Sequence, residues 1–267
     1  MKQILILTAV LISNVIFGQN FPGNDVNLLL NKEIKVQKKE ESLQKYGYDN
    51  FFKNDKMKKK YACCESYNSK YASLVGKVFK VLSAEPYKNI IGTEKYKLKI
   101  ENAETGIIYF DYDPKYEHSF PFEVVGGLDL PEDFYCRKIE TNTDKFDGKT
   151  TSRSDYSEGV SFLKVTKDNT SKIYMSINEL GSTINVGKKG LILLLENGKK
   201  IERPNAKIDS KVNKGGSGYI YSAFIELSKE EIDLIINNPI TDNRLYIYDG
   251  QIKNGAKLSE YLKCLAK

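Results

Sequence analysis

The chain has no tryptophan and a single histidine, His118, among its 267 residues. Zinc hydrolases bind their metal through two or three histidines, so this composition excludes a zinc site of the usual kind. A Ser-His-Asp or Cys-His enzyme would have to use His118 as its base, and no G-x-S-x-G motif accompanies it. We therefore expect His118 to be an ordinary surface residue, and we expect no metal or other cofactor.

Long apolar runs are absent after residue 17. The run at 4–17 follows Lys2 and has the architecture of a secretory signal peptide, and Phe17-Gly18-Gln19 resembles the signal ends of many exported Gram-negative proteins. An uncleaved anchor is the alternative, but the run is shorter than the roughly 20 apolar residues of a comfortable membrane span. We predict that residues 1–18 are removed, and that the mature chain is periplasmic or secreted without a transmembrane span.

Cysteine is sparse, with four residues at Cys63, Cys64, Cys136 and Cys264. Export would place them where disulfides persist. Neighbouring cysteines rarely bond to each other, so the sequence favours a bridge from Cys63 or Cys64 to Cys136. Cys264 would then bond to the other neighbour or remain a buried thiol. Phe134 to Ile139 is expected to be a strand.

Other motifs that would define a chemistry are also missing. Asp147-Gly148-Lys149-Thr150 lacks the glycine that a phosphate loop requires five residues earlier. Asp111-Tyr112-Asp113 could offer two calcium ligands, but no EF-hand loop surrounds it. The formal net charge of +6 is weak information about partners, and export argues against nucleic acid.

The sequence contains strong signals for β-structure and short helices between Gly187 and Gly250. The apolar run 191–195 ends at Asn197-Gly198, which predicts a type I′ hairpin with its return strand ending at Pro204. Ser228 with Glu231 predicts a capping box that starts a helix, and 244–248 is expected to be a strand. The apolar spacing at 257–265 predicts a short closing helix.

The polar segment 141–155 has no aliphatic residue and is the expected linker. We therefore predict a β-rich α+β protein of two domains. Residues 19–140 would form a small β-barrel-like domain, and residues 156–267 an antiparallel β-sandwich with one or two short helices.

Two stretches of the first domain are similar. Residues 29–36 read Leu-Leu-Asn-Lys-Glu-Ile-Lys-Val, and residues 74–81 read Leu-Val-Gly-Lys-Val-Phe-Lys-Val. The second resembles the entry strand of small SH3-like barrels, which implies one or two SH3-like units and carries no function. Coincidence between two similar edge strands is the alternative to a repeat.

Aromatic residues crowd one part of the first domain: Tyr109, Tyr112, Tyr116 and Phe120. Such residues form a stacking surface for sugars or peptides when exposed, and fill a core when buried. Our leading hypothesis is a non-enzymatic binding or structural protein of the bacterial envelope, with an envelope polymer or a protein as its partner. One alternative is a hydrolase that acts on an envelope polymer through paired carboxylates. The other alternative is a protein inhibitor.

Overall fold

The computed structural model describes residues 20–267. The predicted signal peptide therefore lies outside the described residues. The chain divides into two compact units, the first ending at Leu130 and the second beginning at Pro131. The boundary lies ahead of the predicted linker rather than within it.

Within residues 20–130, the first unit contains one single-turn α-helix, α1 (Glu41–Gln44), three 3-10 turns and eight strands. The strands are β1 (Glu33–Val36), β2 (Phe51–Phe52), β3 (Cys63–Glu65), β4 (Asn68–Ser69), β5 (Val78–Lys88), β6 (Glu94–Asn102), β7 (Gly106–Tyr112) and β8 (Phe122–Val124). Six of them form an antiparallel sheet in the order β2-β7-β6-β5-β1-β8, and β3 pairs with β4. The sheet is curled like half a barrel, as the predicted barrel-like domain requires.

The two similar stretches of sequence adopt the same local structure inside this sheet. They lie on β1 and β5, which pair with Ile34 opposite Phe79. The Asn31 N–H donates to the carbonyl of Val81, and at the equivalent position the Gly76 N–H donates to the carbonyl of Val36, both at 3.0 Å. The φ angles are +63° at Asn31 and +73° at Gly76, a region that favours Asn and Gly. The repeat is therefore one motif used twice around a local two-fold axis in a single sheet, and the expectation of two SH3-like units is corrected.

The second unit contains nine strands and two helices. The strands are β9 (Glu140–Thr143), β10 (Thr150–Arg153), β11 (Val160–Lys167), β12 (Thr170–Gly181), β13 (Lys189–Leu195), β14 (Lys200–Val212), β15 (Tyr219–Glu226), β16 (Ile240–Leu245) and β17 (Tyr248–Gln251). The helices are α2 (Lys229–Asn237) and α3 (Gly255–Ala266). The strand order is β17-β16-β13-β14-β15-β12-β11-β10-β9, with every pair antiparallel.

Strand β14 joins the two halves of this sheet. Its first part pairs with β13 as far as Lys207, and its last part, from Ile208, pairs with β15. It therefore continues through Pro204, where we had expected pairing to end. Both halves and both helices contribute to one apolar core, which includes Phe162, Leu193 and Leu262. The prediction of a mainly β fold with short helices is confirmed.

The hairpin between β13 and β14 forms at the predicted place with a different turn. Gly198 has a φ of +78°, whereas Asn197 is not in the positive-φ region that a type I′ turn needs. The Gly198 N–H donates to the Leu195 carbonyl at 2.8 Å, and the Leu195 N–H donates to the Lys199 carbonyl at 2.9 Å. This is the three-residue loop that ends on a left-handed glycine.

Helix α2 begins as predicted. The Ser228 Oγ accepts the N–H of Glu231 at 3.2 Å, and the Glu231 carboxylate accepts the N–H of Ser228 at 2.8 Å. These two bonds make the capping box. The strand expected at 244–248 is instead a tight turn at Tyr246, with φ +58°, between β16 and β17.

Residues 141–155 do not form the expected linker, because β9 and β10 form a hairpin there at the edge of the second sheet. Hydroxyl pairs cross it, Thr141 with Ser152 at 2.9 Å and Thr143 with Thr150 at 3.0 Å. The strand expected at 134–139 is likewise a 3-10 turn, Cys136–Lys138. In the stretch that the structure describes, no helix combines the length and apolar character needed to span a bilayer.

Candidate functional site

The aromatic residues proposed as a binding surface are divided between core and surface. Tyr112 is 1% exposed and Phe120 is 8% exposed, so both belong to the core of the first unit. The Tyr112 hydroxyl donates to the Gly23 carbonyl at 2.7 Å, which satisfies its polar end. Tyr109 is half-buried in β7 and Tyr116 is exposed. These four residues therefore do not form a stacking platform.

The cysteines pair differently from the prediction. Cys136 is bonded to Cys264, with their Cα atoms 5.2 Å apart, whereas Cys63 and Cys64 lie together in β3 of the first unit. The expected bridge from Cys63 or Cys64 to Cys136 is therefore wrong, because Cys136 is bonded to Cys264 within the second unit. Cys136 lies on the turn before β9 and Cys264 lies on α3, so their bridge ties the start of the second unit to its last helix.

The first unit shows no metal centre at Asp111 and Asp113. Their carboxylates lie 3.3 Å and 3.5 Å from the Lys95 Nζ, so an ammonium group occupies the place that a cation would take. Within residues 20–267, no group of three His, Cys, Asp or Glu side chains is arranged to hold a metal ion. His118 is exposed on a 3-10 turn beside the ring of Tyr116.

The most functionally suggestive site lies in the second unit, where two glutamates line a single cleft. We call it the Glu158–Glu179 cleft. Its volume is about 380 Å³. The lining residues are Tyr156, Glu158, Gly159, Asn178, Glu179, Leu180, Ile220, Gly250 and Gln251. It therefore combines carboxylates, carboxamides, a phenol and aliphatic side chains.

A tight turn before β11 positions Glu158. Gly159 has a φ of +82°, and a Cβ at this position would lie 2.5 Å from the Asn178 carbonyl oxygen, so a glycine is required for the turn to lie against β12. The Glu158 carboxylate accepts the backbone N–H of Asn254 at 2.7 Å and its side-chain N–H at 3.3 Å. Asn254 precedes α3, where a negative charge is favoured by the helix dipole.

Glu179 projects from β12 across the backbone of β17. A Cβ on Gly250 would lie 1.7 Å from the Glu179 Oε2, so the carboxylate occupies the space that a side chain would fill. Its oxygens accept the Leu180 N–H at 3.0 Å and the Asn243 Nδ2–H at 3.4 Å. Neither Glu179 nor Glu158 forms an ion pair with another residue of the described chain, so the cleft keeps a negative charge.

Asn243 adds an unsatisfied acceptor next to this carboxylate. The residue is 5% exposed, and within the described residues its Oδ1 has no hydrogen-bond partner. A buried acceptor without a partner costs about 1–3 kcal/mol. Because the same carboxamide donates to Glu179, this cost falls beside the cleft.

The apolar part of the cleft continues onto the solvent-facing side of β12 and β15. Tyr156 and Leu180 are 61% and 60% exposed. Leu180 stands opposite Ile220, and the next outward pairs are Asn178 with Ser222 and Ser176 with Phe224. The Asn178 Nδ2–H donates to the Tyr156 hydroxyl at 3.1 Å.

A stacked aromatic pair lies at the other end of this surface. The rings of Tyr174 and Phe224 are stacked, with centroids 5.0 Å apart and planes inclined by 10°, and Phe224 is 58% exposed. From Leu180 to Tyr174 the strand spans roughly 20 Å at about 3.3 Å per residue. We call the surface formed by Tyr174, Ser176, Asn178, Ser222 and Phe224 the hydroxyl–aromatic face. Together with the cleft, it makes an elongated site that alternates apolar and hydrogen-bonding groups.

A second depression, of about 500 Å³, lies over β13, β16 and β17. Two of its four charged side chains pair with each other, because Arg244 binds both carboxylate oxygens of Asp249, one of them at 2.8 Å, and the other two are Lys200 and Asp242. This pairing lowers the pKa of Asp249. Arg244 and Asp249 are therefore less available to a ligand than the two glutamates of the Glu158–Glu179 cleft, which form no ion pair within the described residues.

The sequence could not reveal this site, because its residues come from segments about 20 to 90 positions apart that only the sheet order brings together. The local signals were two glycines, Gly159 directly after Glu158 and Gly250. No protein-family model, curated protein or solved structure matches the chain.

Proposed function

We propose that the protein is an exported, non-enzymatic binding or structural component of the bacterial cell envelope that holds a glycan strand against its second unit. The observation that carries the proposal is the elongated site, in which the Glu158–Glu179 cleft continues into the hydroxyl–aromatic face. Sugar rings present apolar C–H faces and a rim of hydroxyls. Stacked aromatic rings suit the apolar C–H faces, and serine, carboxamide and carboxylate groups suit the hydroxyls.

A glycan fits this surface better than an extended peptide does. The backbone groups of β12 and β15 bond to their neighbouring strands, so none is available to add a peptide strand along the face. Ligand recognition must therefore use side chains. The side chains of Ser176, Ser222 and Asn178 supply hydroxyl and amide groups between the two apolar ends.

The test is cosedimentation with insoluble glycans, with purified peptidoglycan sacculi, cellulose and chitin as probes. Phe224→Ala removes half of the stacked pair and should lower the affinity for the bound glycan by about tenfold. Phe146→Ala is the matched control, because Phe146 is 101% exposed on the β9–β10 hairpin and is not part of the face. Equal binding by both variants, or no binding to any of the glycans, would contradict the proposal.

A glycan hydrolase is the second candidate, because two glutamates line one cleft. Hydrolysis requires carboxyl groups about 5–10 Å apart, one of which donates a proton. Both glutamates are already hydrogen-bond acceptors with structural partners, Glu158 at Asn254 and Glu179 at Leu180. This favours binding over hydrolysis. Release of reducing ends by the wild type, abolished in Glu179→Gln, would establish the hydrolase instead.

Export is tested separately. Mass spectrometry of the protein from its native host should find a chain that starts near Gln19. An intact Met1 in the cytoplasmic fraction would refute export while leaving glycan binding to be judged by cosedimentation.

A further inference from the structure

The β5–β6 hairpin of the first unit carries two aliphatic side chains at its apex. Ile90 is 105% exposed and Ile91 is 84% exposed, so both are almost completely in water. These adjacent isoleucines place apolar surface in water, and burying that surface in a contact would be favourable. We call residues 89–93 the hairpin apex.

The apex is held in one conformation by its own hydrogen bonds. The Asn89 side chain accepts the N–H of Ile91 at 3.1 Å and the N–H of Thr93 at 2.8 Å. The Asn89 N–H donates to the Thr93 carbonyl at 3.0 Å, and Gly92 takes a φ of +80°. The isoleucines are therefore presented in a fixed position, which lowers the entropy lost on binding.

A basic cleft lies directly beneath the apex. Its volume is about 510 Å³, and it is lined by Ile91, Lys88, Lys115 and Thr93, together with Asn24, Gly92, Glu94 and Pro114. Glu94 is its one carboxylate and lies 4.0 Å from Lys88. Lys115 forms no ion pair with another described residue, so the cleft carries a net positive charge.

We propose that the hairpin apex docks on an anionic lipid bilayer, with Ile90 and Ile91 in the acyl region and a lipid phosphate in the cleft between Lys88 and Lys115. An apolar tip above a basic cleft has the same order of chemistry as a lipid monolayer, from acyl chains to phosphate. A purely apolar protein pocket would leave the two lysines without a role. The proposal concerns the first unit and is independent of glycan binding by the second.

The test is cosedimentation of the full chain from Gln19 with vesicles of phosphatidylcholine alone, or mixed in equal parts with phosphatidylglycerol. The wild type should bind the mixed vesicles and release with rising salt. Ile90→Ser with Ile91→Ser should weaken binding by about tenfold or more. Lys88→Gln with Lys115→Gln should weaken it by about fivefold per lysine, on the mixed vesicles only.

Ile247→Ser is the matched control, because Ile247 is 58% exposed at another hairpin turn, in the second unit. It should bind like the wild type, and circular dichroism should show that all variants remain folded. A wild type that stays in solution with both vesicle types would overturn the proposal and leave a protein pocket as the alternative partner. Undiminished binding by the double isoleucine variant would overturn it as well.

Discussion

The bridge between Cys136 and Cys264 should determine the stability of the second unit. The two residues are separated by 128 positions, and they connect the turn before β9 to the last turn of α3. The rings of Tyr135 and Tyr261 pack beside this connection, with centroids 5.2 Å apart. Replacing both cysteines by serine removes the covalent link and leaves these contacts in place.

The magnitude follows from the loop that the bridge closes. On the chain-entropy estimate, a loop of this length lowers the entropy of the unfolded chain enough to stabilise the native state by about 5 kcal/mol. That is comparable with the whole stability of many domains, which is about 5–15 kcal/mol. We therefore expect the double variant Cys136→Ser with Cys264→Ser to unfold its second unit at far lower urea concentration.

The measurement is urea unfolding monitored by hydrogen exchange with mass spectrometry, which reports on each unit separately. Tyrosine fluorescence gives the same transitions, since the chain has no tryptophan. The first unit, which contains neither residue, should unfold as in the wild type. Cys63→Ser with Cys64→Ser is the control, because adjacent residues enclose no loop. If the first unit softens instead, as a bridge from Cys136 to Cys63 or Cys64 would require, the pairing of Cys136 with Cys264 is wrong.

Two further predictions concern local structure. Ser228→Ala should destabilise the second unit by about 1 kcal/mol, because it removes the acceptor of the Glu231 N–H at the start of α2; an unchanged urea midpoint would show that this bond contributes nothing. Gly159→Ala should cost more than about 2 kcal/mol, since its Cβ would meet the Asn178 carbonyl oxygen at 2.5 Å and its φ is +82°. Gly187→Ala is the comparison, with a φ of +69° and open space around it, and it should cost only about 1 kcal/mol; equal losses would show that the contact at Gly159 does not matter.

Local patterns in the sequence predicted the elements whose cause is local. The capping box at Ser228 depends on residues three positions apart, and the buried stripe of α3 on a helical spacing that ends at Leu265. The repeat at 29–36 and 74–81 was also visible, because each copy needs the same left-handed residue and the same inward positions. What the repeat could not show is that the two copies pair with each other.

The segment 141–155 was misassigned because its polar composition was taken as the mark of a linker, whereas it reflects the exposure of its strands to solvent. Residues 141–155 lack aliphatic side chains because the β9–β10 hairpin lies at a sheet edge with β9 fully exposed, so hydroxyl pairs replace apolar contacts. Tyr112 and Phe120 were misassigned in the opposite direction. Their aromatic side chains suggested a ligand-binding surface, but they fill the core of the first unit. The cleft and the Cys136–Cys264 bridge both form where segments that are distant in sequence come together, and no local pattern encodes such contacts.

The region after Glu179 is built to hold the cleft rigid. A Cβ on Gly181 would lie 2.6 Å from the rings of both Tyr221 and Tyr248, so only glycine lets those rings pack against β12. Both hydroxyls donate to the Thr183 carbonyl, and the Asn185 N–H groups donate to the same two hydroxyls at 2.8 Å and 2.9 Å. The chain leaving the cleft is therefore tied down, so a ligand would meet a site that needs little ordering. A ligand that binds a surface already fixed in place avoids the cost of ordering that surface. The fixed segment after Glu179 therefore supports the proposal that the cleft binds a ligand.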